Sequence, residues 1–288
     1  MITPLDGEDS LDHAGLERLI EHMIGGGVHG LFILGTTGEG PALSYRLRRE
    51  LIERTCAQVA KRVPVLVGIT DASYEESCML AAHARKSGAD AVVTAPPFYF
   101  AVSQEDLLRL VQMLAARVEL PLYLYNMPRL TKCSFEPETV MRAAELPNVW
   151  GLKDSSGQIG YLRAITMQMR DRPDFAVLVG PEELLVESLR MGVHGGVCGG
   201  ANLFPKLFVS LYDAARNGNL AEAGALQQRV LEVGNLLYGI GEPESSYLRG
   251  LKLGMELMGI CRSTLAPPFV AADARLHGKL AEKLREYA

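Results

Sequence analysis

Three times along this chain a helical pattern ends in glycine and an apolar, strand-like run begins a few residues later. Gly27-Val28-His29-Gly30 leads into Leu31-Phe32-Ile33-Leu34, Gly88-Ala89-Asp90-Ala91 into Val92-Val93-Thr94, and Gly192-Val193-His194-Gly195 into Gly196-Val197-Cys198. Glycine is the residue that most readily ends a helix in a left-handed turn. Further strand-like runs lie at 65–69, 122–125, 149–153 and 175–179, and Ile2-Thr3 reads as the stub of an eighth. Helical spacing fills the gaps: Leu16, Leu19, Ile20 and Met23 share one face, as do Leu107, Val111, Leu114 and Val118, and 44–61, 74–86, 137–144, 159–169 and 205–216 complete the alternation. Strands alternating with helices at this spacing imply an α/β fold with a parallel sheet, and eight such units imply a (β/α)8 TIM barrel; an open doubly wound sheet is the other arrangement. After Asn217 the alternation stops. Leu226, Val230, Val233 and Leu237 form a helical stripe and 248–258 another, so the expected division is a barrel carrying the active site at 1–217 and a C-terminal helical appendage at 218–288.

Composition narrows the function classes. The 288 residues are 48% hydrophobic and 22% charged, which permits a large core and argues against disorder. The net charge of −5 and the absence of a basic run argue against nucleic acid or an acidic membrane surface as a partner. Cys56, Cys78, Cys133, Cys198 and Cys261 are scattered and odd in number, which reads as reduced thiols in a cytoplasmic protein. The short acidic start (Asp6, Glu8, Asp9) is unlike a signal peptide, and no apolar stretch is long enough to span a bilayer.

Gly25 to Gly30 fits the spacing GxGxxG but stands between a helix and the next strand, the wrong order for a dinucleotide turn. The six histidines are dispersed, with no HExxH, so no metal site is expected. His29 and His194 fall at strand starts, the end of a barrel concerned with stability. The opposite ends carry the chemistry. Val149-Trp150-Gly151-Leu152-Lys153 is a buried-strand pattern followed at once by the turn Asp154-Ser155-Ser156-Gly157. Lys153 is therefore either an amine nucleophile at the catalytic end of its strand or a lysine reaching past the strand for water. After the run at 31–34 comes Gly35-Thr36-Thr37-Gly38-Glu39-Gly40-Pro41, either a simple turn or a loop whose N–H groups cradle an anion. Tyr125 closes another strand run, before Asn126-Met127-Pro128, and Tyr99 follows Ala95-Pro96-Pro97-Phe98.

Taken together, GTTGE at 35–39, Tyr99 after its prolines, YNxP at 125–128 and GLKDSSG at 151–157, in this order and spacing, resemble the family of dihydrodipicolinate synthase and N-acetylneuraminate lyase, along nearly the whole chain. The resemblance implies a metal-independent class I aldolase that needs no organic cofactor, because the imine with Lys153 takes that role. It also implies a homo-oligomer, a dimer or more commonly a tetramer. By the same resemblance Lys153 forms an imine with a 2-keto acid, Tyr125 shuttles protons, and Thr36 relays them between Tyr125 and a Tyr99 that crosses from a neighbouring subunit. Thr36 and Thr37 hold the keto-acid carboxylate, and Val197 with the Gly199-Gly200 turn lines the far wall. Glu39 is expected to tie the loop down.

The chemistry agrees with these roles. An ordinary lysine amine titrates near 10.4, so only about one in a few thousand is neutral at pH 7, a handicap of about 4–5 kcal/mol that a barrel mouth can relieve. The iminium is then an electron sink for breaking a C3–H or C3–C4 bond. Two departures bear on substrate. Dihydrodipicolinate synthases carry an arginine two residues after the YNxP proline to bind the carboxylate of aspartate semialdehyde, whereas here that position is Leu130, with Arg129 one residue early. Leucine there, and Gly40-Pro41-Ala42-Leu43-Ser44, resemble the sugar-acid aldolase branch, while Phe98 and Phe100 replace polar residues. The expected activity is thus a Schiff-base lyase, aldolase or dehydratase, acting on pyruvate or a 2-keto-3-deoxy sugar acid with an aldehyde partner. The alternatives are 4-hydroxy-tetrahydrodipicolinate synthesis and a catalytically silent keto-acid-binding barrel. Family members also have several residues before the first strand, whereas Met1 falls within it, so the start is expected to be clipped or the strand short.

Overall fold

The computed structural model describes residues 1–239, 246–272 and 274–284. A small antiparallel hairpin, β1 (Leu5–Gly7) and β2 (Ser10–Leu11), precedes α1 (His13–Gly25). Then strand and helix alternate: β3 (Leu31–Ile33), α2 (Tyr45–Val59), β4 (Val65–Gly68), α3 (Tyr74–Ser87), β5 (Ala91–Thr94), α4 (Gln104–Arg117) and β6 (Leu122–Asn126). Two helices, α5 (Pro128–Thr131) and α6 (Pro137–Ala144), separate β6 from β7 (Val149–Asp154), and α7 (Ile159–Gln168), β8 (Ala176–Val179), α8 (Leu185–Arg190), β9 (Gly195–Gly196) and α9 (Pro205–Arg216) follow. Gly27, Gly88 and Gly192, the glycines of the three repeated junctions, all have left-handed φ (87°, 92° and 97°), a conformation other residues reach only under strain. Ser44, Ser73 and Ser103 start α2, α3 and α4 by accepting a hydrogen bond from the third residue on, and Asp106 completes a capping box with Ser103.

The strand order is sequential from β3 to β9 and every pair is parallel. A doubly wound sheet would reverse its order at a switch point. This one does not, and its two ends approach one segment: Met1 N donates to the Phe32 carbonyl (2.6 Å), Ile2 N to Asn202 Oδ1 (2.9 Å) and Thr3 Oγ1 to the Gly38 carbonyl (2.6 Å). The architecture is the expected (β/α)8 class, with one correction. Ile2-Thr3 is not a strand among the described residues, because its partners are a side chain and a loop carbonyl rather than a ladder, and the recorded sheet has seven strands. The hairpin β1–β2, the short helix α5 and α12 (below) were not anticipated by the spacing.

Two sets of side chains divide the sheet. Val93, Ala95 and Tyr125, with Phe32, Leu66, Tyr123 and Met127 against them, fill the barrel interior. Val92, Leu122, Leu124 and Leu152 point the other way, into the cluster shared with the helices. That outer cluster also takes in Val230, Val233 and Leu237 of α10 (Leu220–Tyr238), Leu251, Leu253 and Met255 of α11 (Ser246–Leu257), and Leu280 and Leu284 of α12 (Ala274–Leu284). The end of the alternation near 217 therefore marks a change of pattern within one continuous core. All five cysteines are free thiols, and among the described residues no helix is long and apolar enough to cross a membrane.

The packing of α11 on α10 leaves no room at Gly250, where a methyl group would overlap the Leu237 carbonyl. Gly250→Ala should cost about 1–3 kcal/mol by overpacking. Chemical denaturation should show a lower midpoint in a single transition, and a separate early transition for the tail would contradict the continuous core.

Candidate active site

The register of β6 against β7 pairs Tyr125 with Lys153 and Asn126 with Asp154. Side chains alternate across a strand, so one pair faces the barrel interior and the other the helices. On the helix side, Asn126 Nδ2 donates to Asp154 Oδ1 (2.8 Å), Asn126 Oδ1 accepts from Phe135 N (3.1 Å), and Ser156 donates through its N and Oγ to the same carboxylate (3.2 and 3.0 Å). Burial pushes the Asp154 carboxyl above its ordinary value, against the pull of these bonds. The interior pair holds the two candidate catalytic residues. Lys153 is only 9% exposed, and its Nζ lies 4.3 Å from the Tyr125 ring centroid and 5.1 Å from that of Phe32. The absence of a side chain at Gly180 makes space here: a methyl there would overlap Ser155 Oγ and come 3.3 Å from Lys153 Cε.

Tyr125 Oη and Thr36 Oγ1 share a hydrogen bond of 3.1 Å. Burial pushes the phenol upward, but the positive charge of Lys153 and the facing hydroxyls of Thr36 and Ser155 outweigh it, and Tyr125 titrates below an ordinary tyrosine. A buried amine beside a phenol of lowered pKa is a pair that can exchange a proton.

The loop carrying Thr36 and Thr37 is held from the C-terminal helices. Thr37 Oγ1 is hydrogen-bonded to Tyr247 Oη of α11. Glu39, in left-handed conformation (φ 54°), forms a buried ion pair with Lys252 and accepts from Ala266 N (2.8 Å), while Lys252 Nζ also donates to the Thr264 carbonyl (2.6 Å). Burial draws the Lys252 amine down despite the Glu39 charge beside it. Glu39 thus has the tethering role expected of it.

The expected residues divide into those brought together and those left apart. Lys153, Tyr125 and Thr36 converge, with Thr37 next in the loop. Val197, whose N donates to the Val179 carbonyl (2.8 Å), walls a cavity of about 290 Å³ with Phe32, Cys198, His29 and His194 that runs toward the strand starts rather than to Lys153. Gly199 lies directly against the Tyr247 hydroxyl. Leu130 and Arg129 are both on the exposed side of α5, Leu130 at 49%. Tyr99 does not reach the site of its own chain: it is 78% exposed, with its ring edge-on to Phe100 at 5.0 Å. Phe32, Ser155, Gly180 and Tyr247 are site residues that the sequence reading did not single out. The alternation in Leu31-Phe32-Ile33 carried a signal for Phe32, but nothing local marks Tyr247, which lies 210 positions from its partner. Among the described residues no three His, Cys, Asp or Glu side chains are grouped so as to hold a metal ion.

Removing one partner of a buried ion pair leaves an uncompensated charge. Lys252→Met should therefore destabilise by about 3–5 kcal/mol. Combining it with Glu39→Gln should recover part of that loss, as read from denaturation midpoints; equal losses in the single and double variants would contradict the pairing.

Comparison with known proteins places this geometry. A model of the dihydrodipicolinate synthetase family matches residues 1–287. A protein of Escherichia coli (strain K12) named as a probable 2-dehydro-3-deoxy-D-pentonate aldolase is 34% identical over 276 residues, 95% of this chain and 90% of its own. The structure of dihydrodipicolinate synthase from Bacteroides thetaiotaomicron superposes with a TM-score of 0.97 at 50% identity, over 99% of this chain and 96% of that one. YagE, a prophage protein of the dihydrodipicolinic acid synthase family from E. coli K12 solved in complex with pyruvate, gives a TM-score of 0.93 at 30% identity over 99% and 95% of the two chains. Similarity of this extent in both sequence and backbone means that the chain belongs to the dihydrodipicolinate synthetase family, a family of class I lyases.

Proposed function

We propose that the protein is a Schiff-base lyase in which Lys153 forms an imine with pyruvate or a 2-keto-3-deoxy sugar acid. The observation that carries this reading is the buried Lys153 amine in register with Tyr125, whose hydroxyl bonds Thr36 beside the Thr37 loop. The neutral amine attacks C2, water leaves, and a protonated imine remains. For cleavage, a base takes the proton of the C4 hydroxyl, the C3–C4 bond breaks, its electrons pass to the iminium nitrogen, and an aldehyde departs. The resulting enamine takes a proton at C3, and hydrolysis frees pyruvate. Tyr125 carries these protons, and its lowered pKa supports transfer in both directions. The Thr36-Thr37 loop would hold the keto-acid carboxylate so that C2 faces the amine. YagE, bound to pyruvate in its structure, supports the choice of substrate class.

The exposed Phe98, Tyr99 and Phe100 support a homo-oligomer in which Tyr99 enters a neighbouring subunit to meet Thr36. Leu130, on the exposed side of α5, favours a sugar-acid aldolase or dehydratase over condensation with aspartate semialdehyde. The 50% identical Bacteroides protein named dihydrodipicolinate synthase favours the condensation as a second reading. The five free cysteines accord with a reducing, cytoplasmic compartment.

Borohydride reduction in the presence of pyruvate should leave a reduced adduct on Lys153, seen by peptide mass mapping and absent from Lys153→Arg; no adduct on Lys153 would sink the imine mechanism. Aldehyde release from 2-keto-3-deoxy sugar acids should then exceed condensation of pyruvate with aspartate semialdehyde, and the reverse ranking would select the second reading.

The Tyr125 phenol is held down by the Lys153 charge against burial. Lys153→Met removes that charge while burial and the Thr36 and Ser155 hydroxyls remain, so the titration of Tyr125 followed by ultraviolet difference spectroscopy should move upward. A downward or absent shift would mean that Lys153 does not control the phenol.

A further inference from the structure

A buried carboxyl at the end of β8 lies outside the lysine chemistry. Glu182, in the turn that follows the strand, accepts from Gly200 N through Oε2 (2.8 Å) and from the Tyr238 hydroxyl of α10 through Oε1 (2.7 Å). The Tyr238 ring packs on that of Tyr247, centroids 4.9 Å apart and planes tilted by 52°. Tyr247 in turn shares a hydrogen bond with Thr37. Gly199, one residue before the N–H that Glu182 holds, has no side chain where the Tyr247 hydroxyl sits, and a methyl there would overlap it. One path therefore runs from the end of β8 through two helices of the tail to the threonine loop.

We propose that Glu182 is a positioning residue: through Tyr238 and the Gly199-Gly200 turn it fixes Tyr247, and Tyr247 orients the Thr37 hydroxyl toward the carboxylate of the 2-keto acid. The proposal rests on the imine-forming reading above. Thr37 has a single hydroxyl proton. If that proton is spent on Tyr247, none is left for the substrate, so Tyr247 must be the donor and Thr37 the acceptor of their shared bond. Burial pushes the Tyr247 phenol well above its ordinary value, so it keeps its proton and can act as that donor.

The same path makes substrate capture sensitive to pH. Burial raises the Glu182 carboxyl to about 7, against the pull of the Gly200 and Gly199 N–H groups and the Tyr238 hydroxyl. The titratable groups facing it are Tyr238 from α10, Tyr247 from α11, Cys198 after β9 and Glu183 in its own turn. The ionised form accepts both donors in charge-assisted bonds, which are the stronger kind. The neutral form must place a proton between itself and one of them. The path is therefore firmest above neutral pH, and two tyrosine rings stand between the buried charge and Thr37.

Borohydride trapping of pyruvate on Lys153, measured against pyruvate concentration from acid to mildly alkaline pH, separates half-saturation from maximal rate. In the unaltered protein the half-saturating pyruvate concentration should fall as pH rises through about neutrality, and Glu182→Gln should remove that inflection. Tyr247→Phe and Gly199→Ala should each raise half-saturation about tenfold, the loss of one hydrogen bond to an anion site. The double variant should be no worse than either single one, because both act on the same hydroxyl. Should Glu182→Gln fail to fold, as judged by circular dichroism, Tyr238→Phe and the Tyr247–Gly199 cycle carry the test. An inflection that survives in Glu182→Gln, or Tyr247→Phe with unchanged half-saturation, would overturn the positioning role while leaving the imine mechanism intact. No adduct in the unaltered protein would overturn both.

Discussion

Everything at the strand ends depends on the register between β6 and β7. Because side chains alternate with a period of two, a slip of one residue would turn Lys153 out toward the helices and bring Asp154 into the barrel. Asn126 and Asp154 guard against this from behind. Their mutual bond, and the ties to Phe135 N and Ser156, satisfy two buried polar groups only in the observed register. The polar residue next to each reactive one is thus the clamp that aims it.

The second dependence is on the C-terminal helices. Their stripes read as an appendage, yet they provide two tethers of the threonine loop, the Lys252–Glu39 ion pair and the Tyr247–Thr37 bond. A buried ion pair adds little net stability beyond an apolar substitute of the same volume. Its effect here is to specify one conformation for a loop that includes a left-handed glutamate, a position where several backbone geometries would otherwise compete.

Much of this was legible in the sequence because it is local. The junction glycines announced themselves by position, the alternation marked helices and strands to within a residue or two, and Lys153, Tyr125 and Thr36 lay at run ends where a parallel barrel exposes them. What stayed hidden depends on contacts that no window spans. Ile2-Thr3 has strand-like residues but bonds to Asn202 and Gly38, so its pattern misled. The α5 helix has only four residues, too few for a period to show. Tyr247 and Lys252 sit on an ordinary amphipathic pattern, and only the folded chain reveals that one meets Thr37 and the other Glu39. Tyr99 is visible as an aromatic after prolines, but its exposed ring, among the described residues, stands edge-on to Phe100 alone.

The spacing of these tethers has a consequence for synthesis. Thr37 waits for a residue 210 positions later and Glu39 for one 227 positions later. A chain emerging from the ribosome has its lysine, tyrosine and threonine long before it has the helices that hold the threonine loop. Until then the loop proposed to hold the keto-acid carboxylate is without its C-terminal tethers. Those tethers form late and together, when the segment from Ser246 onward docks.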